Sequence, residues 1–292
     1  MHSSPQYAEG VTAHHRELAP THNRNRLRWE LAIVLALSFG YAGARAIITI
    51  LERLAQDTAL AKQTATIHRP MSGQQYFDLA YQLLGIVGGL APVALVAFLL
   101  WRARKPHLGD LGLGSPALPA AGAPGSSSVA PRRGGAGWPW LRETGSGFVL
   151  AAAIGIPGLA FYVFAKWIGI NTTVVPTALD TFWWTAPLLV LQALRAALSE
   201  ELIVVAYLFD RLKRLGVGVW ATIVTSALLR GSYHLYQGFG GFIGNVVMGL
   251  VFGWAYQRWG RSLPLIVAHW LLDIVSFVGY PLALRLWPAL FG

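Results

Sequence analysis

The sequence predicts an all-α fold, a polytopic bundle of about seven transmembrane helices with a cytoplasmic N-terminus, and three observations carry that prediction. Of 292 residues, 54% are hydrophobic and only 12% are charged, too few charges to coat a soluble domain of this length. Apolar stretches recur at the length of the ~20 helical residues that cross ~30 Å of hydrocarbon. Lys and Arg fall in short clusters between those stretches, on alternate connections, as positive-inside loops do.

Taken in order, residues 1–29 are polar, rich in His and Arg and without periodicity, and read as a disordered tail. Spans follow at 30–51, 76–101, 146–167, 182–209, 217–236, 240–257 and 263–287. Arg24, Arg26 and Arg28 precede the first span, and Arg102, Arg104, Lys105, Arg132, Arg133 and Arg142 separate the second from the third. Arg211, Lys213 and Arg214 follow the fourth, and Arg258 and Arg261 follow the sixth. With seven spans all of these lie on one side, whereas 168–181 and 236–241 hold no Lys or Arg. That places the basic side in the cytoplasm; only Arg53, Lys62 and Arg69 in the 52–75 loop run against it. Residues 106–137 are Gly, Pro, Ala and Ser without an apolar face. The organisation is therefore a tail (1–29), two N-terminal spans (30–105), a flexible cytoplasmic linker (106–141) and a C-terminal membrane domain (142–292).

Several function classes fall away. The chain has no Cys, which excludes thiolate metal sites and a Cys nucleophile. Its net charge of +10 sits between apolar runs and not on one stripe, so nucleic acid is not an expected partner. No repeat and no matching pair of broken half-helices points to a carrier. Membrane lipids are the expected surroundings, in a bacterial cell membrane.

Inside the last four spans stand Arg195, Glu200, Glu201, Arg230, His234, Asn245, His269 and Asp273. An ionised group at the bilayer centre costs at least ~2.5–3.5 kcal/mol, so these residues need partners within the bundle. Glu200 and Glu201 are adjacent, about 100° apart on an α-helix, so one can face a cavity while the other orients a neighbour. A carboxylate pair in a low-dielectric site suits a general base that takes a proton from water. Arg230 and His234, like His269 and Asp273, are four residues apart and share a helix face. Alone, His234 reads as an interfacial residue and Asp273 as a group that fixes the His269 tautomer; together within 75 residues the set reads as one polar site. Asn245, Gly249 and Gly253 read as a helix-packing stripe, and Tyr233/Tyr236 and Trp183/Trp184 as an aromatic belt. Arg195 reads as an ion-pair partner or a snorkelling side chain, with a substrate carboxylate as its other use.

The ordered set Ser199-Glu200-Glu201, then His234 about thirty residues on, then His269-Trp270-Leu271-Leu272-Asp273, resembles the CPBP family of CAAX prenyl endopeptidases and bacteriocin-immunity (Abi) proteins, over approximately 182–281. The resemblance implies an all-helical membrane endopeptidase acting on a lipidated or membrane-associated peptide or protein reached from the bilayer. It implies a water activated by Glu200 or Glu201 with His234, and an oxyanion assisted by His269 and Asp273. The alternative is a catalytically degenerate immunity or scaffold protein of the same fold. Both a metal-free site and a divalent metal such as zinc, held by Glu200, His234 and His269, remain open. Two positions depart from the EExxxR and FxxxH fingerprints: Val205 replaces the Arg and Arg230 replaces the Phe. Arg230 is expected to return the missing cation from the neighbouring span. One difficulty is depth, because at 1.5 Å per residue Glu200, His234 and His269 lie about 16, 25 and 10 Å from their cytoplasmic helix ends.

Overall fold

The computed structural model of the chain describes residues 20–100, 113, 139–279 and 281–282. Helix α1 (Pro20–Leu35) continues through a π turn (Ala36–Gly40) into α2 (Tyr41–Leu54), and α3 is Gln75–Leu99. Helix α4 is Pro139–Trp167. Helix α5 (Thr185–Ser199) runs through a π-helical segment (Glu200–Tyr207) into α6 (Leu208–Arg214). Helices α7 (Val219–His234), α8 (Phe239–Trp259) and α9 (Leu263–Ile274) follow, the last closing in a π turn (Val275–Gly279). The local signals are ordinary ones: Gly260 takes the left-handed conformation (φ 63°) that ends α8, and Pro264 stands in the first turn of α9.

Each expected span overlaps a helix, but among the described residues four helices have the length and apolarity to cross a membrane: Arg24–Leu54, Gln75–Leu99, Leu141–Trp167 and Phe239–Trp259. The other three fall short for separate reasons. The continuous helix through α5 carries Arg195, Glu200 and Glu201 in its middle, α7 has 16 residues, and Leu263–Gly279 is a shorter apolar helix. The expected tail and linker lie mostly outside the described residues; the first helix is already under way at Pro20, inside the expected tail. The end of the 263–287 span likewise lies outside them.

The bundle inverts the usual order of polarity. Leu37, Ile48, Leu84, Val87, Phe98, Val149 and Ile156, on the outer helices, are exposed, while Glu201 and Arg230 are among the largest fully buried side chains. Lipid is the solvent that makes this arrangement stable. All eight residues of the π segment are buried. Around it stand α3, α7 and α8, while α9 packs on α4 and α5. Helices α7 and α8 approach closely because Gly249 lies against Ala227, whose Cα would sit 2.7 Å from an added Cβ. Gly253 faces Phe209 and Ile223. Asn245 instead returns a hydrogen bond to the Gly241 carbonyl of its own helix, 2.9 Å, so the packing stripe is carried by its two glycines.

Two short strands depart from the purely helical expectation. β1 (Thr64–His68) and β2 (Thr173–Thr177) pair in parallel, Thr64 opposite Thr173 and His68 opposite Thr177. The β-branched run Thr172-Thr173-Val174-Val175 favours extended backbone, and pairing satisfies groups that would otherwise be orphaned beside an apolar bundle. The Thr172 amide also donates to the Gln237 carbonyl, 2.9 Å. Three connections, those after α2, α4 and α7, thus meet at one end. At the opposite end Arg24 reaches the Leu215 carbonyl, Arg211 reaches Glu30 and the Leu99 carbonyl, and Arg261 pairs with Glu143.

Candidate active site

The two glutamates open the π segment. Its i→i+5 bonds widen the turn and bring successive side chains closer to one direction than the 100° of an α-helix, so both carboxylates face α7. π segments of this kind cluster at functional sites. From α7 come Arg230, Tyr233 and His234, at i, i+3 and i+4 on one face; from α9 come His269 and Asp273, at i and i+4.

Glu201 is fully buried, and its Oε1 accepts from Arg230 Nη2 at 2.6 Å and lies 2.8 Å from His269 Nδ1. Glu200, 7% exposed, accepts from the Tyr233 hydroxyl on Oε2 at 2.9 Å. The same Oε2 lies 3.8 Å from Arg230 Nε, and Oε1 lies 3.8 Å from His234 Nε2. His269 Nε2 is 3.6 Å from Asp273 Oδ2. All six residues expected from the sequence therefore meet in one connected cluster.

Uneven helix ends remove the depth difficulty. Glu200 precedes Arg214 by fourteen residues and His234 follows Val219 by fifteen, roughly 21–22 Å in each case, whereas His269 is only six residues, about 9 Å, from Leu263. Helix α9 therefore begins deeper in the bundle than its neighbours.

Val205 lies in an apolar cluster with Phe209, Ile223, Phe252 and Leu265. The Arg230 guanidinium touches both glutamates from α7 and sits 5.2 Å over the Phe252 ring. Beyond those contacts the site keeps unused capacity. Among the described residues, Glu201 Oε2, Arg230 Nε and Nη1 and both ring nitrogens of His234 are buried without a hydrogen-bond partner.

Sequence reasoning missed one member. Tyr233, expected in an aromatic belt, is buried, hydrogen-bonded to Glu200 and stacked on Phe39 at 4.7 Å. Its position three residues after Arg230 and one before His234 was the available signal. Trp184 is buried too, so of that pair only Trp183 is exposed. Arg195 forms no ion pair among the described residues; its Nε donates to Gln192 Oε1, 3.1 Å.

The residues do not fit a metal. Among the described residues no group of three His, Asp or Glu side chains converges as a ligand set. His269 turns its two nitrogens to Glu201 and Asp273, and the fixed guanidinium of Arg230 stands against both glutamates where a cation would bind.

A bundle of apolar helices around a buried glutamate pair, two histidines and an arginine defines the class: an integral membrane protein with a polar site in its interior. Residues 182–275 match the family model described as type II CAAX prenyl endopeptidase, Rce1-like. No curated protein and no solved structure matches the chain.

Proposed function

We propose that the chain is an intramembrane endopeptidase that cleaves a lipidated or membrane-anchored peptide with a water activated by Glu200 and His234. The observation that carries this reading is the 3.8 Å edge between Glu200 Oε1 and His234 Nε2. It is too long for a direct hydrogen bond and suited to a water held by both. Glu200 takes a proton from that water as it adds to the scissile carbonyl, then returns it to the leaving amine as the C–N bond breaks. Tyr233 holds the other oxygen of Glu200 and so sets the carboxylate plane. Glu201 is a positioning residue, held between Arg230 and His269. The unpartnered nitrogens of Arg230, with His269 oriented by Asp273, are the donors for the developing oxyanion. The same reading takes the end bearing Arg24, Arg211 and Arg261 as cytoplasmic, with seven membrane crossings.

The test is cleavage of a prenylated peptide by purified protein in nanodiscs, wild type beside Glu200→Gln and His234→Ala. Wild type is expected to cleave, and each variant to lose about 10²–10⁴ in rate while remaining inserted and folded. Cleavage by His234→Ala at the wild-type rate would refute the mechanism.

A further inference from the structure

Phe39 lies far outside residues 182–275, yet its ring touches the site. It stands in the π turn between α1 and α2. Val34 and Phe39 are five residues apart, which a regular α-helix would set about 140° apart around its axis. The wider π turn brings Phe39 back toward the side of Val34. Both then pack in the apolar cluster that holds Ile203 and Tyr207 of the π segment, while Leu37 and Tyr41 stay exposed. Helix α2 continues along α7, so closely that a Cβ added to Gly43 would lie 3.2 Å from Ser232 Oγ. The Phe39 ring is thereby laid on Tyr233, with centroids 4.7 Å apart and planes at 27°. Tyr233 also meets the His234 ring, at 4.9 Å and 46°.

A phenol has one O–H to donate, and Tyr233 spends it on Glu200 Oε2 at 2.9 Å. Such a bond weakens steeply once it leaves its line, so its strength depends on the plane of the ring that carries it. Helix α7 fixes the Cα of Tyr233, whereas the ring plane is set by what lies against it. We propose that Phe39 is a positioning residue for hydrolysis: by stacking on Tyr233 it fixes the phenol that aims Glu200, so that the π turn of the first helix completes the active site. This rests on the peptidase reading above. The stack acts on Glu200 through the hydroxyl and has no contact of its own with the attacking water. An aliphatic side chain at residue 39 would fill much of the same space without holding a ring plane.

Cleavage of a prenylated peptide is measured for Phe39→Leu in two backgrounds, wild type and Tyr233→Phe, with rates taken per folded molecule and Phe39→Met as a second variant should Phe39→Leu fail to fold. In the wild-type background Phe39→Leu is expected to lower kcat about three- to tenfold with KM little changed. In the Tyr233→Phe background, where the hydroxyl is already gone, it is expected to cost nothing further. Equal losses in both backgrounds, a loss carried by KM, or no loss at all overturns the inference while the peptidase reading stands. Failure of wild type to cleave counts against the peptidase reading, and a measurement without turnover then decides the inference. In protein labelled with 3-fluorotyrosine, the Tyr233 fluorine resonance is identified by its loss in Tyr233→Phe. It is expected to move on Glu200→Gln, and to move less when Phe39→Leu is also present. A response of the same size with and without Phe39, or no response in either, overturns the inference.

Discussion

Arg211 and Arg230 are both buried, both paired with carboxylates, and differ in how completely they are used. Arg211 spends every nitrogen: Nε on Glu30 at 2.8 Å, Nη1 on Asp210 at 2.7 Å and Nη2 on the Leu99 carbonyl at 3.0 Å. Tyr207 completes the cluster by donating to Glu30, 3.0 Å, beneath the guanidinium. Arg230 makes one hydrogen bond, to Glu201, and keeps Nε and Nη1 without one. A saturated network has nothing left to offer a ligand and works as a staple joining α1, α3 and α6. Buried donors without a protein partner carry a desolvation cost that is offset only when water or another acceptor meets them.

The comparison breaks most sharply at the Arg230–Glu201 pair, which is 2.6 Å long with both side chains fully buried. Arg230→Met leaves Glu201 as an uncompensated buried charge and is expected to lower stability by about 3–5 kcal/mol. Glu201→Gln strands the cation and should cost a similar amount. The double variant should recover part of the loss, and a double-mutant cycle in detergent unfolding measures that coupling. Additive losses would mean that the pair is not the charge compensation read here for the missing arginine at Val205.

Arg211→Met tests the other side of the comparison. Loss of charge-assisted hydrogen bonds should lower stability by about 1.5–3 kcal/mol. Peptide cleavage per folded molecule should stay at the wild-type level, because the staple lies at the bundle end, away from the glutamates. A fall in turnover without a fall in stability would show that the saturated cluster is also coupled to the site.

Much of this was legible in the sequence because charge in an apolar run is rare enough to stand out. Glu200, Glu201, Arg230, His234, His269 and Asp273 were each visible as expensive residues, and i, i+4 spacing assigned Arg230 with His234, and His269 with Asp273, to shared faces. The helices were legible for the same reason, from the lengths of their apolar runs. The π segment was not, since an eight-residue change of hydrogen-bond register leaves no compositional trace. It matters here because it aims both glutamates at α7, where the α-helical expectation separated them. Tyr233 was hidden by its type: tyrosine near a span end is as common in an interfacial belt as beside a carboxylate, and only burial distinguishes the two. The pairing of β1 with β2 was equally hidden, because the strands lie more than a hundred residues apart.

The smallest effect is expected at Asp273. Its carboxylate lies 3.6 Å from His269 Nε2, beyond a direct hydrogen bond, so it acts on the ring through charge or a bridging water. Asp273→Asn keeps the shape and hydrogen-bonding capacity of the group. A change of about 1 kcal/mol or less corresponds to cleavage within about tenfold of wild type. Asp273→Ala removes the hydrogen-bonding group altogether and should fall further, since His269 then keeps only its Glu201 contact to set its tautomer. The diagnostic comparison is Asp273→Asn against Glu200→Gln in the same peptide assay. If Asp273→Asn loses as much as Glu200→Gln while remaining folded, Asp273 handles the proton itself, and the division of roles between α5 and α9 must be redrawn with Asp273 as the base.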